Sequence, residues 1–374
     1  MNTPTFSPTL RPAEWVLPGH PDKLADALAD ALVQAARARQ PEALCAIEVA
    51  VHRNAAYLTG RLACEGATHI DIASLVRGVY DSAGFGDAWG PAAPDITVGG
   101  NLCIESLVAG EELIRHISDD QSIVTGYAID LPGIGDIPPE QWLAREVAQR
   151  LFALVGGPLQ LCPDGKVLVV LEEDGPAPGA SRRLRAASCS LLARAGDVEL
   201  QRAFVGVLRS AALELASRID GFDPAIPRDV IVNGSGTFVI GGPEGDNGLS
   251  GKKLLLDHYG PRVPIGGTAL SGKDFWKPDR AGTLLARRLA LAVVRSGLAT
   301  QATVQFVSFP GDEAPRLVRI STPEGELPDA QRWLQLVDCR FSVAADWAGA
   351  TDLIDGARWG WFGHGAPWEQ LALR

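Results

Sequence analysis

Residues 236–280 read GTFVIGGPEGDNGLSGKKLLLDHYGPRVPIGGTALSGKDFWKPDR, and the chain is organised around them. Glycines interrupt apolar runs, Lys252, Lys253, Lys273 and Lys277 stand beside them, and Asp246, Asp274 and Asp279 add carboxylates. Such a stretch suits a polyphosphate. Glycines let backbone N–H groups approach phosphate oxygens, lysines neutralise them, and carboxylates hold the Mg²⁺ that accompanies them. Turns between strands carrying solvated lysines are the plainer reading of any glycine-rich segment. Two such segments in tandem, each ending in Lys, favour phosphate.

Gly267 to Lys273, GTALSGK, has the spacing of a P-loop, G-x-x-x-x-G-K. The next residue is Asp274, where a P-loop carries the Ser or Thr that ligates Mg²⁺, and the preceding PRVPIG is no buried strand. A P-loop NTPase is therefore rejected.

The chain has 374 residues, enough for two or three domains; 46% are hydrophobic and 21% charged, as in ordinary globular proteins. A net charge of −11 argues against non-specific nucleic-acid binding. An anionic substrate then needs a local basic pocket. Met1 to Arg11 lacks the apolar centre of a signal peptide and no run approaches a membrane span, so a cytoplasmic protein is expected. The six cysteines form no C-x-x-C pair and read as reduced, mostly buried small side chains; Asn233-Gly234-Ser235 is a sequon without consequence in such a protein.

Met1 to Ala13 reads as an extended lead-in. A helix starts at Pro21, with Leu24, Ala27, Leu28, Ala31 and Leu32 at helical spacing. His20, Asp22 and Lys23 sit at its positive end, where an anion and a metal can be met or where polar residues simply cap a structural helix. Ala46–Val51 and Ala56–Leu62 read as paired strands, and about Ile70–Ser82 as a helix. GEELIRHISDDQS, from Gly110, reads as a surface helix or lid, or as a solvated connector. Gln141–Leu154, Leu200–Ala216, Ala281–Arg295 and about Asp329–Leu336 have helical periodicity. Val167–Leu171, Leu184–Leu192, Thr303–Phe309 and Leu317–Ser321 read as strands. The mixture predicts an α+β protein of three similar segments, 1–115, 116–238 and 239–374.

Several of these stretches carry a family resemblance. GHPDKLADALADAL, from Gly19, resembles the opening motif of S-adenosylmethionine synthetases. FVIGGPEGDNGLSGKKLLLDHYG and GGTALSGKDFWKPDR resemble that family's second and third blocks. GYAID at Gly126, PDGK at Pro163 and FGHGAPWE near the end follow in order, so the match spans nearly the whole chain.

The resemblance implies three α/β subdomains in pseudo-threefold arrangement and a homodimer with active sites between subunits. It implies attack of the methionine sulfur on C5′ of ATP, loss and then hydrolysis of tripolyphosphate, and help from Mg²⁺ and K⁺. By position, His20 lies against the ribose–triphosphate bridge, Asp22 and Asp279 hold Mg²⁺, and Glu48 holds K⁺. Asp164, Lys166, Thr237, Phe238, Lys252, Lys253, Ala269 and Lys273 line the ATP site, with Lys166 and Lys273 also among the catalytic residues. Asp120, Asp246 and Lys277 face the nucleophile and the junction of the two substrates.

Departures from the family pattern concentrate on the methionine side. Arg61 stands where the family has a glutamate for the methionine amino group, and Ala92 where it has a glutamine. Thr237 and Lys252 replace arginines, Asn247 stands where some members have cysteine, and Thr268 replaces the third glycine of GGG. An arginine repels an ammonium and attracts an anion. Three readings follow. The first is a methionine adenosyltransferase in which Glu65 or another group restores the lost contacts. The second is an adenosyltransferase to another, possibly anionic, nucleophile, for which Arg61→Glu is the test. The third is a nucleotide-binding scaffold or regulatory subunit. Loss of the arginine at Thr237 also puts tripolyphosphate hydrolysis in doubt.

Overall fold

A computed structural model describes residues 8–371 apart from positions 176 and 268. In chain order the elements begin β1 (Thr9–Val16), α1 (Pro21–Arg39), β2 (Leu44–His52), β3 (Ala55–Ala63), α2 (Ile72–Ala83), β4 (Thr97–Gly100) and β5 (Cys103–Glu105). They continue with β6 (Ser122–Ile129), α3 (Pro139–Phe152), β7 (Leu161–Glu173), β8 (Arg182–Ala193), α4 (Asp197–Arg218), β9 (Phe222–Asp223), β10 (Val230–Val232) and β11 (Gly248–Leu249). The last third holds α5 (Leu254–Asp257), α6 (Pro278–Arg295), β12 (Gln301–Ser308), β13 (Arg316–Thr322), β14 (Gly325–Glu326), α7 (Ala330–Trp333), α8 (Phe341–Trp347) and α9 (Leu353–Trp359).

The strands form three sheets, β1-β7-β8-β10 with β9 on β8, β11-β2-β3-β4 with β5 on β3, and β14-β13-β12-β6. Each takes a buried helix on one face: α3 packs on β1 and β7, α1 on β2, and α6 on β6 and β12. This is the α+β architecture expected, three sheet-and-helix units. Strands distant in sequence meet in each, since β1 pairs with β7, β11 with β2 and β6 with β12.

The expected helices and hairpins form, with two corrections. The lead-in is a strand from Thr9, paired residue for residue with β7 from Thr9↔Glu173 to Val16↔Lys166; Met1 to Ser7 lie outside the described residues. The helix expected over Asp329–Leu336 breaks into the single turn of α7 and a 3₁₀ turn, Leu334–Leu336. The segment from Gly110 carries only a 3₁₀ turn, Glu111–Ile114. It is tied down by buried Arg115, which reaches Asp274, and by the Ser118 N–H, which donates to the Asp312 carbonyl at 2.7 Å.

Candidate active site

The site is built on the first turn of α1. His20 is its N-cap in extended conformation, and Pro21 fills the first turn, where its missing N–H costs nothing. The His20 Nδ1 accepts the Asp22 N–H at 3.3 Å, which leaves the proton of a neutral imidazole on Nε2. Burial and the neighbouring Lys253 lower the His20 pKa to about 4 against the opposing pull of Asp22, so the ring is neutral at pH 7.

Along α1, Asp22, Asp26 and Asp30 recur every four residues and share one face. All three are buried, and each accepts a backbone N–H from the glycine-rich stretch: Leu249 at 3.1 Å, Gly251 at 2.8 Å and Gly272 at 3.0 Å. Those N–H groups are therefore already engaged by carboxylates. Gly248 shows how close the two run, because a Cβ there would lie 2.1 Å from the Pro21 carbonyl oxygen. Two buried cations complete the face, Lys23 between Asp26 and Asp257, and Arg280 on Asp30.

The sequence-predicted residues gather in two groups. In the first, Asp22 lies 3.6 Å from the Lys252 Nζ and 3.3 Å from the Lys253 Nζ. Lys166 and Asp246 act on His20 through space, and both also act on Asp164. Asp164 accepts the Gly242 N–H at 2.8 Å, and burial raises its pKa to about 6. Lys166 lies 3.7 Å from Glu14. In the second group Lys273 pairs with Asp279, and Lys277 pairs with Asp119. Asp279 also lines a cavity of about 460 Å³ with Gln121, Ser122 and Phe309.

Asp120 is exposed and accepts its neighbour's N–H, so the carboxylate that meets Lys277 belongs to Asp119, a residue the sequence did not single out. The Glu48 carboxylate accepts from the Ser250 hydroxyl; the exposed Thr237 hydroxyl donates to Asp197 at 3.2 Å. Phe238, Ala269 and Ala92 are half-buried. Asp274 is fully buried, accepting the N–H groups of Cys45 and Trp276 at 2.8 Å and pairing with Arg115. The position that would ligate Mg²⁺ in a P-loop is thus a structural carboxylate.

Arg61 does not present a free charge. Its Nε donates to Glu105 at 2.6 Å, and its Nη1 and Nη2 donate to the two oxygens of Glu111 at 2.5 and 2.9 Å. One guanidinium and two carboxylates sum to −1. The arginine also lowers the pKa of Glu111 from the ordinary carboxylate value.

Among the described residues, no group of three or more His, Cys, Asp or Glu side chains could hold a metal ion unaided. Asp22 and Asp279 fit a Mg²⁺ held in its usual manner, by one carboxylate and substrate phosphates. Each stands beside lysines that the same phosphates would attract.

Fold and site define an α+β protein with a lysine-rich site at the starts of two buried helices. Residues 9–101 match the model of the S-adenosylmethionine synthetase N-terminal domain and residues 240–351 that of its C-terminal domain. Similar chains include S-adenosylmethionine synthase 1 of Frankia casuarinae, 34% identical over 81% of this chain and 79% of its own. The S-adenosylmethionine synthases of Thermus thermophilus and Nocardia farcinica are both 32% identical, over 85% and 86% of this chain and 83% of each relative. The chain belongs to the S-adenosylmethionine synthetase family. It is an enzyme, a transferase of the methionine adenosyltransferase type. No helix among the described residues is long and apolar enough to cross a membrane.

Proposed function

We propose that the enzyme transfers the adenosyl group of ATP to methionine. A lone pair of the thioether sulfur attacks C5′, the C5′–O bond breaks, a sulfonium forms, and the bonding electrons leave on tripolyphosphate. A neutral thioether gains little from a base, so catalysis comes from alignment and from stabilising charge on the leaving group. The observation that carries this reading is the neutral His20 at the α1 N-terminus, whose Nε2–H has no acceptor among the described residues and stands near Lys252, Lys253 and Lys166. That proton is suited to the bridging oxygen as the bond breaks. The lysines, now paired with Asp22, Glu14 and Asp279, would exchange carboxylate for phosphate oxygens; Asp164 and Phe238 would flank the nucleotide. Mg²⁺ at Asp22 and Asp279 would supply further neutralisation of the phosphates, and Glu48 would hold K⁺.

Methionine is favoured over an anionic acceptor because Arg61 is occupied by Glu105 and Glu111, and the trio carries net negative charge towards an ammonium. A homodimer with sites between subunits suits the sheets, which expose Tyr57, Ile123, Leu168, Ile231, Leu249 and Val318.

The test is incubation with ATP, Mg²⁺ and K⁺, with and without methionine, followed by mass spectrometry and phosphorus NMR. S-adenosylmethionine is expected from the wild type, and at least tenfold less from Arg61→Glu, where three carboxylates would face one another. Methionine turnover that instead rises in Arg61→Glu would restore the anionic-acceptor reading. ATP binding without any product from methionine would overturn the proposal.

A further inference from the structure

One buried arginine lacks a carboxylate in direct contact. Arg115, Arg182, Arg280 and Arg287 each pair with a carboxylate, on Asp274, Glu173, Asp30 and Glu369 in turn. Arg145 of α3 is only 5% exposed, yet among the described residues no carboxylate oxygen lies within ion-pair distance of it. Its Nη1 donates to the Phe362 carbonyl at 2.7 Å and lies 2.9 Å from the His364 Nε2. Its guanidinium lies over the Trp15 ring, 5.9 Å from the centroid. The Nε and Nη2 groups have no hydrogen-bond partner among the described residues, and Arg145 lines the adjoining cavity. Burying a guanidinium without a contacting carboxylate is costly, and burial lowers this one's pKa to about 10 even though Glu369 and Glu146 act on it from beyond ion-pair distance.

That cavity has a volume of about 430 Å³ and a mainly polar lining that includes Trp142, Arg145, Glu146, Arg218, Arg295 and His364. Its other charges are already matched. Arg218 pairs with Glu214 at 2.6 Å and Arg295 with Asp136 at 2.8 Å. Glu146 pairs with Arg150, and Glu369 takes Arg287 and the N–H groups of Gly363, His364 and Gly365. His364 is neutral, its pKa lowered to about 4 by burial and Arg145. None of the lining residues belongs to the candidate active site.

We propose that this cavity is a second binding site, taking a small oxyanion whose paired oxygens engage the Nε and Nη2 fork of Arg145, with Arg218 and Arg295 at its rim. A carboxylate and a phosphate present the same pair of acceptors to such a fork. Either would supply the charge that the other buried arginines find within the chain.

Calorimetric titration of the full-length enzyme with inorganic phosphate, and separately with malonate, tests the site and tells the two chemistries apart. At least one is expected to bind with an affinity that falls tenfold or more in Arg145→Gln and persists in Lys273→Ala, which alters the candidate active site instead. Arg145→Lys keeps the charge without the fork and is expected to fall between. Circular dichroism establishes that each variant is folded; should Arg145→Gln fail, the rim variant Arg218→Gln takes its place, with a severalfold loss expected. Binding of neither anion, binding that disappears in Lys273→Ala, or binding indifferent to folded Arg145 and Arg218 variants would each overturn the proposal.

Discussion

His20 and Asp164 share a neighbourhood but respond to acid in opposite directions. The folded His20 has a pKa near 4 against 6.5 for a free imidazole, so the unfolded chain binds more protons between those values. Its contribution to stability is lost as pH falls from 6.5 towards 4. Asp164 is raised from 3.8 to about 6, so the folded chain binds more protons there, and its contribution is lost as pH rises through 6. At pH 7 Asp164 is therefore a half-buried charge kept at a cost. Replacing it with Asn preserves an acceptor for the Gly242 N–H and removes that charge. Asp164→Asn is expected to raise stability at pH 7 by about 1–3 kcal/mol, with the gain shrinking towards zero near pH 4. Denaturant titrations at both pH values measure it. A variant no more stable than the wild type at pH 7 would show that Lys166 and the backbone already offset the burial of the carboxylate.

Among the elements, α1 shows best what a sequence reveals and what it hides. Pro21 and the apolar spacing mark its start and inner face, but acids at four-residue intervals ordinarily denote a solvent face. Here Asp22, Asp26 and Asp30 are buried because loop N–H groups more than 200 residues later reach back to them. Nothing local announces that. β1 was hidden for a different reason: Pro12 breaks its strand pattern, tolerable because β1 is at the edge of its sheet. β6 contains Gly126, where a Cβ would lie 2.0 Å from the Ala286 carbonyl carbon of α6, so a weak strand former marks a close approach. A short repeat also becomes visible only when the three main helices are aligned at their starts, Pro21-Asp22-Lys23, Pro139-Glu140-Gln141 and Pro278-Asp279-Arg280. In the middle copy Glu140 is buried and held at both oxygens by Arg262, leaving Asp22 and Asp279 as the copies that face lysines. Asp30→Ala tests the acidic face itself. It would strand the fully buried Arg280 and the Gly272 N–H, for an expected loss of about 3–5 kcal/mol in urea unfolding. A loss below about 1 kcal/mol would mean that Arg280 finds another partner.

For the molecule as a whole, the residues of the candidate site fall into two clusters, one around His20 and Lys166 and one around Lys273 and Lys277. The family motifs name these residues from sequence, but not which of them one subunit brings together, because the sheets join distant strands and the proposed dimer would add a second chain. If two subunits meet across their exposed sheet faces, a complete site would take the first cluster from one and the second from the other. Lys166→Ala and Lys273→Ala, each nearly inactive alone, should then complement when mixed, unfolded and refolded together. Half of the resulting dimers are mixed, and each of those carries one site with both lysines intact and one with neither. About a quarter of wild-type activity is expected in the mixture. Were both lysines of a site contributed by one subunit, every site would keep a defect and refolding would recover nothing.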